Sequence, residues 1–278
     1  MSLSLSRSRV AAIALTGLAA LSVFAVACGD DDSTSTKTPT AAVQSADQKD
    51  VQATIDKINA AIASHDVDAL LAQITDNGAK ALFFGSKDDL KQHPDQIQAS
   101  AFKADSISVS GTNASATGHD TGDQPNGFDA PGIVKFVKEA DGWKADGLES
   151  GNAKAPSGAK TVNVGMKEFA FTFTPSDIPT GKPILFHLTN NGVQEHMMDL
   201  SKIPADAKID DLLQYQGDGP PPGVTDIGSS NPIAPGKSAD VAFNGKLDAG
   251  RYVFLCFMPD TDGTPHALKG MVGEFTIK

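Results

Sequence analysis

Hydrophobic and polar positions along this chain change period twice. From Asp50 the apolar residues Val51, Ile55, Ile58 and Ile62 recur every three or four positions, the spacing of one helix face. The segment His65-Asp66-Val67-Asp68-Ala69-Leu70-Leu71 reads as a turn into a second helix, and Asp88 to Gln98 as a further short segment. The period then drops to two. Ile107 and Val109, Ala114 and Ala116, Ile133 to Val137 and Trp143 to Leu148 alternate as strands do, with Asp141-Gly142 as a hairpin turn between the last two runs. Residues 48–150 are therefore expected to form an α+β domain with its helices first.

After a linker over 151–160, rich in Gly, Ala, Ser and Pro, the pattern stays at period two. Thr161 to Thr174 alternates around Val162, Val164, Phe169, Phe171 and Phe173; Ile184, Phe186 and Leu188 follow, then Val241 and Phe243. Asp206 to Tyr215 suggests one short helix in a connection. Short strands broken by Pro and Gly predict an all-β sandwich over residues 161–278.

The chemistry concentrates at the end of that sandwich, in GRYVFLCFMPDTDGTPHALKGMVGEFTIK. Tyr252, Phe254 and Cys256 share one parity while Val253, Leu255 and Phe257 take the other, which predicts a strand buried on both sides with Cys256 near its end. Pro259, Asp260, Asp262, Gly263 and Pro265 are turn formers, so the chain reverses and presents His266 from a loop. Met271, Gly273, Phe275 and Ile277 share a parity, which places Met271 at the start of a closing strand. A thiolate, an imidazole and a thioether, joined by a second imidazole, are the mixed ligand set that suits copper and its change of oxidation state.

Gly250, Tyr252, Phe254, Cys256, His266, Gly270 and Met271 together resemble the final motif of the type 1 copper, or cupredoxin, family. That family's remaining ligand is a histidine after an Asn-rich turn, and Asn190-Asn191-Gly192-Val193-Gln194-Glu195-His196 matches it here. The resemblance implies a cupredoxin Greek-key sandwich holding one type 1 copper, with His196, Cys256 and His266 as equatorial ligands and Met271 as the weak axial one. Met197 and Met258 are alternative thioethers. The order of helices and sheet in the first domain resembles the NTF2-like cone.

Taken singly, the same residues have plainer readings: Cys256 as a buried hydrophobe, Met271 as core filler, His196 as a surface residue. His187 has the parity opposite Phe186 and Leu188 and is expected to face outward. His65, His93 and His119 are expected to be exposed, and Asp66, Asp68, Asp88 and Asp89 to serve helix starts rather than acid/base chemistry.

The chain's first segment changes where the protein is expected to work. Arg7 and Arg9, an apolar stretch from Val10 and the run Ala25-Val26-Ala27-Cys28 describe an export signal over 1–27. The cysteine after small residues resembles a bacterial lipoprotein signal, which implies lipid on Cys28 and an anchor at the extracytoplasmic face of the cell membrane; an uncleaved membrane helix is the alternative. Residues 28–47 are then a flexible acidic tether. With Cys28 lipidated and Cys256 on metal, both cysteines of the chain are used without a disulfide; a bridge between them would tie a tether to a buried strand.

Taking Arg7 and Arg9 from the 23 basic residues leaves 21 against 34 acidic ones, a formal charge of −13. An acidic protein is not expected to bind nucleic acid. It is compatible with a basic redox partner protein, but a soluble surface domain needs the same balance, and that plainer reading comes first. The chain contains no His-x-His or His-Cys-His, so no further copper ions of an oxidase are indicated, and a closed four-ligand site leaves no position for a substrate. The expectation is a non-enzyme: an exported, membrane-anchored blue-copper protein transferring one electron. The alternatives are a copper-delivery lipoprotein and a metal-free binding lipoprotein acting through the first domain; that domain is expected to be a spacer or a contact module, with a small-molecule pocket as the alternative.

Overall fold

The computed structural model describes residues 44–94, 97, 101–120, 127–215 and 220–278. The expected signal, Cys28 and most of the tether lie outside the described residues. Among the described residues, no helix is long and apolar enough to cross a membrane.

Helices α1 (Ala46–Ser64), α2 (Val67–Leu71), α3 (Asp76–Phe83) and α4 (Lys87–Gln92) come first. Ser45 starts α1: its hydroxyl accepts from the Gln48 N–H at 3.2 Å while Gln48 Oε1 accepts from the Ser45 N–H at 2.8 Å, so two donors that a helix end leaves orphaned are satisfied. Asp66 and Asp89 do serve helix starts, Asp66 accepting from the Ala69 N–H at 3.0 Å and Asp89 joining Ser86 in a capping box. Val51 and Ile55 form the buried stripe of α1 and pack with Leu70, Ile74, Phe136 and Trp143 into one core. The sheet beneath comprises β1 (Phe102–Ser110), β2 (Asn113–Asp120) and, beyond a short β3 (Phe128–Asp129), β4 (Gly132–Glu139) and β5 (Gly142–Ser150), antiparallel in the order β1-β2-β4-β5. Gly142, at φ +128°, opens β5 after the hairpin turn.

β3 leaves this sheet altogether. It pairs with β11 (Ser238–Phe243) of the second half, Phe243 opposite Phe128, and Phe128 is buried in the second core. Gly228, at φ +150°, faces that ring so closely that a Cβ there would lie 2.3 Å from it. The linker adds to the stitching, since the Ala153 N–H donates to Asp240 O at 2.8 Å and Asn152 Oδ1 accepts from the Asp240 N–H at 3.0 Å. His119, expected to be exposed, is half-exposed and bridges Asp105 and Asp129, each 2.8 Å from one ring nitrogen.

The second half is a sandwich. One sheet is β3-β11-β8-β6-β7, built from β6 (Lys160–Lys167), β7 (Ala170–Thr172), β8 (Ile184–Asn190) and β11; the other is β10-β9-β12-β13, built from β9 (Asp199–Ile203), β10 (Thr225–Ser229), β12 (Gly250–Leu255) and β13 (Val272–Ile277). A short helix, α5 (Ile209–Leu213), lies in the connection between β9 and β10. The chain passes repeatedly between the sheets, and β8 runs parallel to β6. Inward residues alternate as the period of two requires: Val162, Val164 and Met166 on β6, Ile184, Phe186 and Leu188 on β8, Phe275 and Ile277 on β13. His187 points outward from β8 and pairs with Asp240 at 2.7 Å. Thr161 to Thr174 does not form one strand. It folds into the hairpin β6–β7 with Glu168-Phe169 at its tip.

Candidate metal centre

The site begins with a rigid floor. Phe254 on β12 has its ring 5.0 Å from Phe173, 5.8 Å from Phe186 and 5.1 Å from Phe275. Such aromatic pairs contribute roughly 0.5–1.5 kcal/mol each beyond burial, so the end of β12 is held firmly. Leu255 pairs with Val272 as the last rung of β12–β13, and Cys256 and Met271 are the next residues on either strand. Both are fully buried in the same core.

Nine residues separate Cys256 from His266, and they close into a small hairpin. Pro259 and Pro265 form a bridge, the Gly263 N–H donates to Asp260 O at 2.8 Å, and Gly263 takes φ +79° in the turn. At the base, the His266 N–H donates to Met258 O at 2.9 Å and the Ala267 N–H to Cys256 O at 2.8 Å. The histidine is thereby returned beside the cysteine it left.

His196 arrives from the other sheet. Asn190, fully buried at the end of β8, closes the turn that follows: its Nδ2 donates to Gln194 O and to Ile233 O, each at 2.7 Å, and its Oδ1 accepts from the Gly192 N–H at 2.8 Å. His196 then pairs with Ile233 through two backbone hydrogen bonds.

These elements bring three ligand atoms together, all within 4.8 Å of one another. His196 Nδ1 lies 3.1 Å from His266 Nδ1, and Cys256 Sγ lies 3.9 Å and 3.5 Å from those nitrogens. A divalent first-row ion, at about 2.0 Å from nitrogen and about 2.3 Å from sulfur, separates such ligands by about 3.2–3.8 Å. All three side chains are buried.

The outer hydrogen bonds decide what the three atoms present. Asp260 Oδ1 accepts from Gln194 Nε2 at 2.9 Å, and because an ionised carboxylate only accepts, this fixes the amide with Oε1 toward His266 Nε2, 3.2 Å away. His266 Nε2 must then carry the proton, leaving a lone pair on Nδ1. Glu168 Oε1 stands 3.3 Å from His196 Nε2, within ion-pairing reach but without the alignment of a hydrogen bond, and favours a proton there too. Two Nδ1 lone pairs and a sulfur therefore converge, an arrangement that calls for a cation at its centre. Burial lowers the pKa of both imidazoles, which keeps them neutral as ligands must be. Burial also pushes the Cys256 thiol up to about 11, despite donation from the Met197 N–H to its sulfur at 3.4 Å. A metal ion is what would hold this sulfur as thiolate near neutral pH.

The C-terminal sandwich is cupredoxin-like. Its His196–Cys256–His266 cluster fits one type 1 copper. No protein-family model matches the chain, and no curated relative matches it by sequence. Solved structures do resemble it. Auracyanin from Roseiflexus castenholzii, in dithionite-reduced form, is 28% identical over 44% of this chain and 99% of its own, with a TM-score of 0.31. Auracyanin A, described as a "blue" copper protein from Chloroflexus aurantiacus, is 22% identical over 44% of this chain and all 100% of its own, at 0.32. Rusticyanin from Thiobacillus ferrooxidans is 19% identical over 46% of this chain and 86% of its own, at 0.27.

Two contributors to the site had no motif. Glu168 and Phe169 form the tip of the β6–β7 hairpin, and the Phe169 ring meets His266 edge-on at 5.1 Å. Burial raises the Glu168 pKa, but backbone N–H donors, those of Gln194 and Val193 among them, and then His196 outweigh it, holding the carboxyl at about 2. Their signal in the sequence is a slip of parity: Val162, Val164 and Met166 are even, Phe169, Phe171 and Phe173 odd, and the change falls at the turn.

Proposed function

We propose that this protein is an exported, membrane-anchored blue-copper carrier of single electrons, with His196, Cys256 and His266 as equatorial ligands and Met271 as the axial one. The observation that carries the reading is the buried triangle of two imidazole lone pairs and one thiol sulfur, closed on its outer side by Gln194 and Glu168. Bound there, copper would supply one-electron cycling between Cu(II) and Cu(I). The chain's own residues do the rest. Cys256 carries electron density to the end of β12, the two histidines hold a geometry fixed by both sheets, and the apolar core excludes water. No bond of a substrate is made or broken.

Export and anchoring through Cys28 are supported by the basic, apolar and small-residue pattern of residues 1–28, and an acidic balance supports a basic protein as redox partner. An NTF2-like cone for residues 48–150 is supported by helices that precede an antiparallel sheet. Copper delivery is the less favoured reading because, of the additional methionines, Met166, Met198 and Met258 are buried and Met197 is half-buried, which places them poorly for hand-over. Voltammetry of the copper-loaded protein tests the proposal: a reversible one-electron wave, lost in Cys256→Ser, is expected, and a reversible wave retained in that variant would overturn it.

A further inference from the structure

We propose that Glu168 is a positioning residue for both histidines and that its carboxylate biases the site toward Cu(II). This rests on the copper reading above.

The carboxylate occupies a cradle shaped for it. Its Oε1 accepts from the Val193 N–H at 2.6 Å and the Gln194 N–H at 2.7 Å while lying 3.3 Å from His196 Nε2, and its side chain is only 17% exposed. Gly192 leaves the space: a Cβ there would stand 2.4 Å from Oε1 and 2.7 Å from Oε2. Asn190 pins the same turn from its inner side. No residue of the turn other than glycine at 192 admits the carboxylate without a shift.

One group thereby reaches two ligands. At His196 it favours the proton on Nε2 and leaves Nδ1 facing Cys256. At His266 it acts through Gln194, whose backbone it grips and whose side chain fixes the ring. The negative charge also sits one imidazole away from the metal position, on a side chain mostly covered by protein. It stabilises the more positive oxidation state, and so opposes reduction.

The test uses the full chain and two variants. Glu168→Gln keeps an acceptor for the two N–H groups and removes the charge. It is expected to retain the thiolate-to-copper absorption while the equilibrium constant for reduction rises about tenfold, a shift of about +59 mV for a one-electron couple. Glu168→Ala removes the grip as well. In its metal-free form, ring-nitrogen NMR is expected to lose the single Nε2–H tautomer of His196, and copper affinity to fall about 10–100-fold. A Glu168→Gln potential equal to the wild-type value sinks the electrostatic half of the proposal, and unchanged ring-nitrogen signals in Glu168→Ala sink the positioning half. A wild-type chain without thiolate-to-copper absorption would contradict the copper reading alone, because the tautomer comparison is made without metal.

Discussion

Gln194 and His266 are coupled side chain to side chain, Oε1 to Nε2 at 3.2 Å, and the direction of that contact is dictated by Asp260 on the far side of the amide. Lys269, which also bonds Asp260 and lies 2.8 Å from Asp262, is the main cause that holds the Asp260 carboxyl well below the usual carboxylate range. A charge on the surface loop thus sets the tautomer of a buried ligand. Replacing Gln194 by Leu removes the relay while keeping the side chain's bulk. Copper affinity, measured by competition with a chelator, is expected to fall about 10–100-fold, as it does when a ligand's outer partner is lost. An unchanged affinity would show that the loop backbone alone aims His266.

Cys256 predicts a proton count. Burial keeps its thiol protonated until about pH 11 in the metal-free protein, whereas a metal-bound sulfur is deprotonated. Binding of one copper near pH 7 should therefore release one proton, and affinity should rise about tenfold per pH unit below that pKa, while the histidines stay neutral. Calorimetry in buffers of different ionisation enthalpy checks this. Release of no proton would mean that Cys256 does not bind the metal as a thiolate.

Met271 and Met258 separate two readings of the axial position. Both are buried in the core around Cys256, but only Met271 directly follows the last rung of β12–β13. Met271→Leu should keep the visible absorption and raise the reduction potential, by about 59 mV for each tenfold change in the reduction equilibrium. Met258→Leu should leave the potential where it is. The reverse outcome would move the axial role to Met258.

Phe128 predicts how the two cores depend on each other. Its ring is 3% exposed in the second core although the strands on both sides of it belong to the first sheet. Phe128→Ala is expected to cost about 3–5 kcal/mol in urea unfolding of the second half, the range for emptying an aromatic site. A loss below about 1 kcal/mol would show that β3 rests on the sandwich without supporting it.

Legibility in the sequence followed the range of the interactions. The helix α1, the four strands packed beneath it and the run from Tyr252 to Cys256 carry their period locally, and all were readable. The triangle of His196, Cys256 and His266 was readable only through family resemblance, because nothing local says that a turn after β8 meets a loop after β12. β3 was missed since two residues carry no period, and what orders them is β11, more than a hundred positions away. β9 and β10 were missed for a related reason: Asp199, Ser201 and Ser229 put polar side chains where a strand pattern expects apolar ones, and hydroxyl donation to Asp199 satisfies them. Glu168 left only the parity slip between Met166 and Phe169, whose meaning appears once the hairpin tip is seen against His196.

The most direct measurement is the visible absorption spectrum after one equivalent of Cu(II) is added to the metal-free protein. Cys256 bound between His196 and His266 predicts an intense blue or green thiolate-to-copper band, saturating at one copper per chain and absent from Cys256→Ser. A colourless or faintly absorbing sample would contradict the account, and would leave residues 48–150 as the place to look for function.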